Sequence, residues 1–291
     1  MIYNIKSDKL TVRINDYGAE LISAKGADGF EYIWFANPAY WDQHAPVLFP
    51  ICGRILNGYY KYNGKKYEMD GHGFASKSTF KVKSLSGDSI SLILESDETT
   101  KKQYPFDFTL TATYTVKDNS LLAAFTVENR DKKIMPYLFG WHPGFMLEKN
   151  GNSKIGDFSL KFDNVDKVSW YPLQHGCFCR PYGEDYTLVN SEYILNEEEI
   201  YSNDTMIFTG TKDRAVLSSP LEKHSIDMSW SDNLPYFCIW KETDANARFI
   251  CLEPWSGTPN DGETEENFNE RKMNRLPSGK KEDFTYLIKF N

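Results

Sequence analysis

With 291 residues, 41% of them hydrophobic and 15% aromatic, the chain has material for a sizeable core, which excludes a disordered polymer and leaves room for one large β domain or two smaller ones. Its net charge of −8 disfavours nucleic acid and anionic membrane surfaces as partners. No apolar run reaches the roughly 18 residues of a membrane-spanning helix, Met1 to Asp8 lacks a signal-peptide apolar region, and five cysteines, an odd number, fit the reduced thiols of a cytoplasmic protein.

Taken in chain order, the predicted elements are strands. Leu10 to Ile14 alternates apolar and polar residues, the period of a half-buried strand, and Glu20 to Ala24 reads as its hairpin partner across Asp16-Tyr17-Gly18. Tyr59 to Tyr62 and Lys65 to Met69 flank Asn63-Gly64, a strong hairpin signal. Thr79 to Leu85 and Ser89 to Glu95 flank Ser86-Gly87-Asp88 in the same way. Phe108, Leu110, Ala112, Tyr114 and Val116 alternate with four threonines, which gives a two-faced strand that turns at Asp118-Asn119 into Leu121 to Val127. Ile134 to Phe139 reads as a buried strand. In the second half, Ser159 to Phe162, Thr205 to Thr209, Ala215 to Ser218, Ser225 to Trp230, Tyr236 to Trp240, Arg248 to Glu253 and Phe284 to Phe290 continue the series. Only Tyr193 to Tyr201 has helical character, and Pro259 to Glu270 reads as an exposed, solvated loop. Strands recurring at about 8–12 residues predict an all-β antiparallel sandwich, and the lack of a linker favours one domain over residues 1–291.

Four stretches carry candidate chemistry. In Phe49-Pro50-Ile51-Cys52-Gly53-Arg54, an arginine behind an apolar run and a glycine can project a planar donor fork into a cleft. In Gly71-His72-Gly73-Phe74, flanking glycines allow close backbone approach to a ligand under the imidazole. In Phe139-Gly140-Trp141-His142-Pro143-Gly144-Phe145, proline holds His142 extended at a strand end, and Pro143-Gly144 suits the centre of a type II turn. In Leu252-Glu253-Pro254-Trp255, a carboxylate ends an apolar strand, where it is costly unless paired or functional. A metal site is not expected: Cys177-Phe178-Cys179 is a CxC without a second pair, Cys238 and Cys251 look like small core residues, and the Pro259 to Glu270 acids do not have EF-hand spacing.

The order of these motifs in a β-only chain resembles the aldose 1-epimerase (galactose mutarotase-like) family, and more closely its bacterial LacX-type branch, over essentially the whole chain. His44 to Arg54, His72-Gly73-Phe74-Ala75, Tyr104-Pro105-Phe106 and Cys251 to Trp255 carry the resemblance. It implies a large antiparallel β supersandwich with a sugar cleft. It implies His142 as general acid to the ring oxygen and Glu253 as general base to the anomeric hydroxyl. Arg54 and His72 would bind sugar hydroxyls, with Asp204 as the best match to a further binding aspartate. No cofactor is required, since ring opening needs only a positioned acid and base. Trp141 and Trp255, each beside a catalytic candidate, are expected to stack on the sugar. His142 and Glu253 are expected about a sugar ring's width apart and both to titrate near neutral pH.

The implied partner is a small-molecule aldose, and the implied assembly is a monomer or weak homodimer. Relatives acting on hexose 6-phosphates carry an arginine soon after the HGFA stretch; here the residues are Ala75-Ser76-Lys77-Ser78, which favours an unphosphorylated aldose. Tryptophan precedes His142 where galactose mutarotases carry an asparagine-histidine context, which disfavours galactose itself. The alternatives are a carbohydrate-binding or sensing protein of this fold with little turnover, or a hexose-6-phosphate 1-epimerase. A glycoside hydrolase would require two flanking carboxylates.

Overall fold

A strand whose every second residue is apolar hides that face only against another sheet, and this chain does so twice over. The computed structural model describes residues 1–147, 153–174, 178–244 and 246–291. Among these, the largest sheet has nine strands: Glu192–Ile194, Ser159–Phe162, Arg214–Ser218, Ile226–Trp230, Lys281–Phe290, Ser120–Asn129, Phe108–Lys117, Ser89–Glu95 and Lys81–Leu85, in spatial order. The second has eight. Glu184–Thr187, Lys167–Trp170, Thr205–Thr209, Tyr236–Trp240, Phe249–Trp255, Gly140–Trp141 and Val47–Leu48 run across it, and Gly144–Met146 also pairs with Phe249–Trp255. The ladders within both sheets are antiparallel.

One face of each sheet meets the other in a continuous hydrophobic cluster that runs from Ile5 to Phe290. In the nine-stranded sheet, Phe108–Lys117 contributes its even-numbered residues, all buried, and leaves its threonines half-exposed. From the eight-stranded sheet come Met206, Phe208, Phe237, Ile239, Ile250 and Leu252. Trp141 is the central piece. It lies 5.8 Å from the Phe125 ring and 5.3 Å from the Tyr286 ring, and its indole N–H donates to the Ala45 carbonyl at 3.0 Å. The other face of the eight-stranded sheet is covered too. Leu48, Cys52, Ile207, Cys238 and Trp255 form a second cluster there, and Trp34, Phe249 and Cys251 a third. Phe249–Trp255 therefore has no exposed residue at all.

Three local expectations are corrected. The helix in the second half is Glu197–Asn203, started by Asn196, whose side chain accepts from the Glu199 N–H; Glu192–Ile194 before it pairs as a strand. A further helix, Glu98–Gln103, is capped by Asp97, which accepts from the N–H groups of Thr99 and Thr100. Pro143-Gly144 does not form a type II turn, because Gly144 opens the strand Gly144–Met146 and has no positive φ. Gly144 is there for space: a Cβ would come 2.8 Å from Trp41. The loop of residues 259–270 is likewise less exposed than expected. Asn260, Glu266 and Phe268 are buried, Glu266 bonds Asn260 and Arg271, and Phe268 stacks on Tyr60 at 3.6 Å.

Because one cluster ties residues near both termini to both sheets, the chain is expected to unfold in a single step. Tryptophan fluorescence and far-UV circular dichroism followed through a urea titration should give coincident transitions; two separated midpoints would show two independent units.

Candidate active site

Residues two apart on a strand share a face, and residues opposite each other on paired antiparallel strands share it too. Gly140 pairs with Trp255 and Gly144 with Cys251, so the same register carried through the His-Pro step sets His142 opposite Glu253. Their side chains emerge together on the face away from the sandwich. His142 Nε2 lies 3.2 Å from Glu253 Oε2. The expected ring's-width separation is therefore corrected: as direct cross-strand neighbours the two groups touch.

Both are deeply buried, His142 at 8% exposure and Glu253 at 0%. His142 Nδ1 and both Glu253 oxygens lack a hydrogen-bond partner, so the 3.2 Å approach is a contact and not an aligned hydrogen bond. Burial pushes the Glu253 carboxyl well above its ordinary range, and the Asp204 charge pushes it the same way. Burial, with help from His72, pushes the His142 imidazole well below its own. Both shifts favour the same arrangement, a carboxylic acid beside a neutral imidazole with one proton between them, over an ion pair. The carboxyl thus moves up from its ordinary range, toward neutrality, and the imidazole moves down from its own.

His72 faces them from another segment. Its φ is +63°, an uncommon conformation for a residue with a side chain, and Gly73 after it is at +75°. A Cβ on Gly73 would sit 2.1 Å from the Phe49 carbonyl oxygen, so only glycine fits. The Gly53 N–H donates to His72 Nδ1 at 3.2 Å, which leaves the ring proton on Nε2. Burial, then the charges of Arg54 and Lys77, lower the His72 pKa to about 4. It is a fixed neutral donor whose ring lies edge-on to His142, 5.6 Å away. Gly53 takes φ +73°, and a Cβ there would strike Pro259. Arg54 follows, exposed, its carbonyl accepting from the Asn260 N–H at 3.2 Å. Among the described residues no side chain pairs with its guanidinium.

Arg54, His72, His142, Asp204, Glu253 and Trp255 all line one cleft of about 510 Å³, within the range of small-molecule sites. Asp204 ends the helix Glu197–Asn203 at φ +59°, ψ −59°, a strained backbone of the kind that concentrates at functional positions. Burial raises its carboxyl, against the pull of Thr205 and Arg54. Trp141 is corrected. It is adjacent to His142 on the strand, so it faces the core, while Trp255, two residues from Glu253, faces the cleft. The aromatic walls that sequence reasoning missed are Trp41 and Trp240, 5.1 Å and 5.6 Å from the His142 ring. Tyr236-Phe237-Cys238-Ile239-Trp240 carried a signal in its alternation, since Trp240 stands opposite Cys251 and shares its face with Glu253. Trp41 lies in a loop and carried none.

The aldose 1-epimerase profile matches residues 1–289. The chain belongs to the aldose 1-epimerase family. Protein LacX (plasmid) of Lactococcus lactis subsp. lactis is 31% identical over 273 residues, 88% of each chain. A galactose mutarotase related enzyme from Lactobacillus acidophilus has a similar structure, with a TM-score of 0.92 and 29% identity over 100% of this chain and 97% of that one. A galactose mutarotase-like protein from Lactobacillus casei ATCC 334 gives 0.93 and 27%, with complete coverage of both chains. Among the described residues no helix is long and apolar enough to cross a membrane. Among the described residues of this member of the epimerase family one group of possible metal ligands comes together, His142, Cys251 and Glu253, which linear spacing did not suggest. Cys177 of the CxC stretch lies outside the described residues.

His72 offers a direct check. Its folded-state pKa is lowered from 6.5 to about 4, so the fold favours the neutral ring. That contribution to stability is complete above pH 6.5 and is lost as pH falls toward 4. Nitrogen-15 NMR should show the Nε2–H tautomer at pH 7 and a midpoint near 4; a midpoint near 6.5 would mean that the imidazole is neither buried nor held by Gly53.

Proposed function

We propose that the protein is an aldose 1-epimerase, an isomerase that interconverts the α and β anomers of an unphosphorylated aldose by opening and reclosing its ring. The observation that carries this reading is the buried His142–Glu253 pair, two proton-transfer groups in contact on the floor of a neutral, aromatic-walled cleft. A binding protein needs walls and hydrogen bonds but has no use for such a pair, whose burial without partners costs about 1–3 kcal/mol for each unsatisfied group.

Ring opening takes a proton from the anomeric hydroxyl O1 and gives one to the ring oxygen O5, while the C1–O5 bond breaks and C1=O1 forms. Both oxygens are bonded to C1. Two groups in contact can therefore serve both, and a ring's-width gap would separate them too far. Glu253 as carboxylate takes the O1 proton, and His142 as imidazolium supplies O5. That charged arrangement carries the same single proton as the neutral one, and sugar hydroxyls together with the Arg54 charge support it when the cleft is filled. Opening returns the pair to carboxylic acid and neutral imidazole, the state that the dry site favours. Rotation about C1–C2 and the reverse transfers then close the ring on its other face.

His72 donates from Nε2 to a sugar oxygen, Arg54 spans two hydroxyls, and Asp204 accepts from hydroxyls. Trp41, Trp240 and Trp255 supply apolar faces to the ring. Lys77, the basic residue that follows the HGFA stretch, is already bonded to Asp70 at 2.7 Å and is more than half exposed, which supports an unphosphorylated substrate.

Glu253→Gln and His142→Asn should each slow mutarotation by at least about a hundredfold, the usual scale for a positioned acid or base, with a much smaller change in sugar affinity. Arg54→Ala should weaken binding instead. Polarimetry and calorimetry on the same samples separate these effects. If both variants turn over at the unmodified rate, the pair is not catalytic; if the unmodified protein binds an aldose without speeding its mutarotation, it is a binding protein.

The pH profile follows from one shared proton. Activity falls on the acid side only when a second proton reaches His142, well below 6.5, and on the alkaline side only when the carboxyl ionises, well above 4.5. On protein treated with a chelator, the acid limb of kcat/KM should lie below 6.5 and the alkaline limb above 4.5. A sharp midpoint near 6.5 would mean a freely titrating histidine.

A further inference from the structure

We propose that the cleft floor is also a divalent-cation site, in which His142, Cys251 and Glu253 hold one thiophilic ion of the Zn2+ class in competition with the sugar. Cys251 and Glu253 are two apart on Phe249–Trp255 and so share its cleft-side face, and His142 stands opposite Glu253 on the neighbouring strand. Their ligand atoms all lie within 4.8 Å of one another. Tetrahedral coordination at bond lengths of about 2.0–2.3 Å sets ligands roughly 3.3–3.8 Å apart, so the 3.2 Å between His142 Nε2 and Glu253 Oε2 needs little adjustment.

A second observation also points to a ligand. Both Glu253 oxygens are buried without hydrogen-bond partners, and each is a lone-pair donor that an ion would satisfy. The donor set decides the class. Sulfur and imidazole select Zn2+, Co2+ or Cd2+ over Mg2+ and Ca2+, which take oxygen shells. Three protein ligands leave a fourth position, toward the cleft, for water. Binding sends the Cys251 thiol proton and the shared pair's proton to solvent, so affinity rises with pH.

An ion seated there occupies the lone pairs that ring opening uses. Loss of activity on loading rests on the epimerase reading; the binding itself does not.

The test uses Co2+ as an optical probe on chelator-treated, full-length protein. The expected result is one equivalent bound, with tetrahedral visible bands and a thiolate-to-cobalt charge-transfer band, all displaced by Zn2+. Cys251→Ser should abolish the charge-transfer band, and His142→Asn, which keeps the thiol, should weaken binding and remove the tetrahedral bands. Cys52→Ser and Cys238→Ser, which alter buried thiols outside the group, should leave the spectrum unchanged. Zn2+ at one equivalent should remove most mutarotation by the unmodified protein and leave Cys251→Ser at its own metal-free rate. No charge-transfer band, or a band that survives Cys251→Ser, overturns the proposal. A metal-free protein without mutarotation but with a Cys251-dependent spectrum would overturn the epimerase reading alone.

Discussion

The register between Phe249–Trp255 and the broken strand Gly140 to Met146 is the constraint on which the site depends. A slip of one residue would turn Glu253 into the sandwich core and carry Leu252 to the cleft. Two pairings, Gly140 with Trp255 and Gly144 with Cys251, bracket the His-Pro step and hold it. The glycines are part of this lock: a Cβ at 140 would meet Trp255 at 2.4 Å, and one at 144 would meet Trp41 at 2.8 Å. Close approach of backbone to indole lets His142, Glu253 and their aromatic walls share one floor.

The rest of the site is brought to that floor by segments that the sheet does not order. Gly53-Arg54 and His72 are joined by two hydrogen bonds, from the His72 N–H to the Gly53 carbonyl and from the Gly53 N–H back to His72 Nδ1. The loop after Trp255 then clamps Gly53-Arg54 through Pro259 and Asn260, and is itself anchored by the buried Asn260–Glu266–Arg271 network. On the far side, Lys241 is buried with its ammonium bonded to the Tyr201 hydroxyl and the carbonyls of Glu242 and Asp244. It fixes the helix that ends at Asp204 against the strand that carries Trp240.

Electrostatically the floor works by exclusion of charge. Cys52, Cys238 and Cys251 are buried near Glu253 and stay as thiols, and Asp204 adds a like charge. These surroundings disfavour a lone carboxylate, so Glu253 and His142 are both shifted toward their neutral forms. A buried pair of opposite charges carries a desolvation cost that the empty floor does not offset, so the neutral arrangement of the same proton is favoured there.

Much of this was legible in the sequence. Two-residue alternation in Phe108 to Val116, the Asn63-Gly64 hairpin and the scarcity of helical periods determined an antiparallel β protein, because side-chain period follows directly from backbone geometry. The motifs around Arg54, His72, His142 and Glu253 were visible because glycine and proline constrain backbone locally. The same period already implied that Trp141, next to His142, must face the core. What the sequence did not determine was everything that rests on contact between distant segments. Apart from Glu253, Phe249–Trp255 is apolar on both faces, so its pattern did not separate a core face from an exposed one. Trp41, the proximity of Cys251 to His142 and Glu253, the 3.2 Å contact and the direction of each pKa depend on burial and on neighbours far along the chain, and those exist only once the two sheets and their loops have closed.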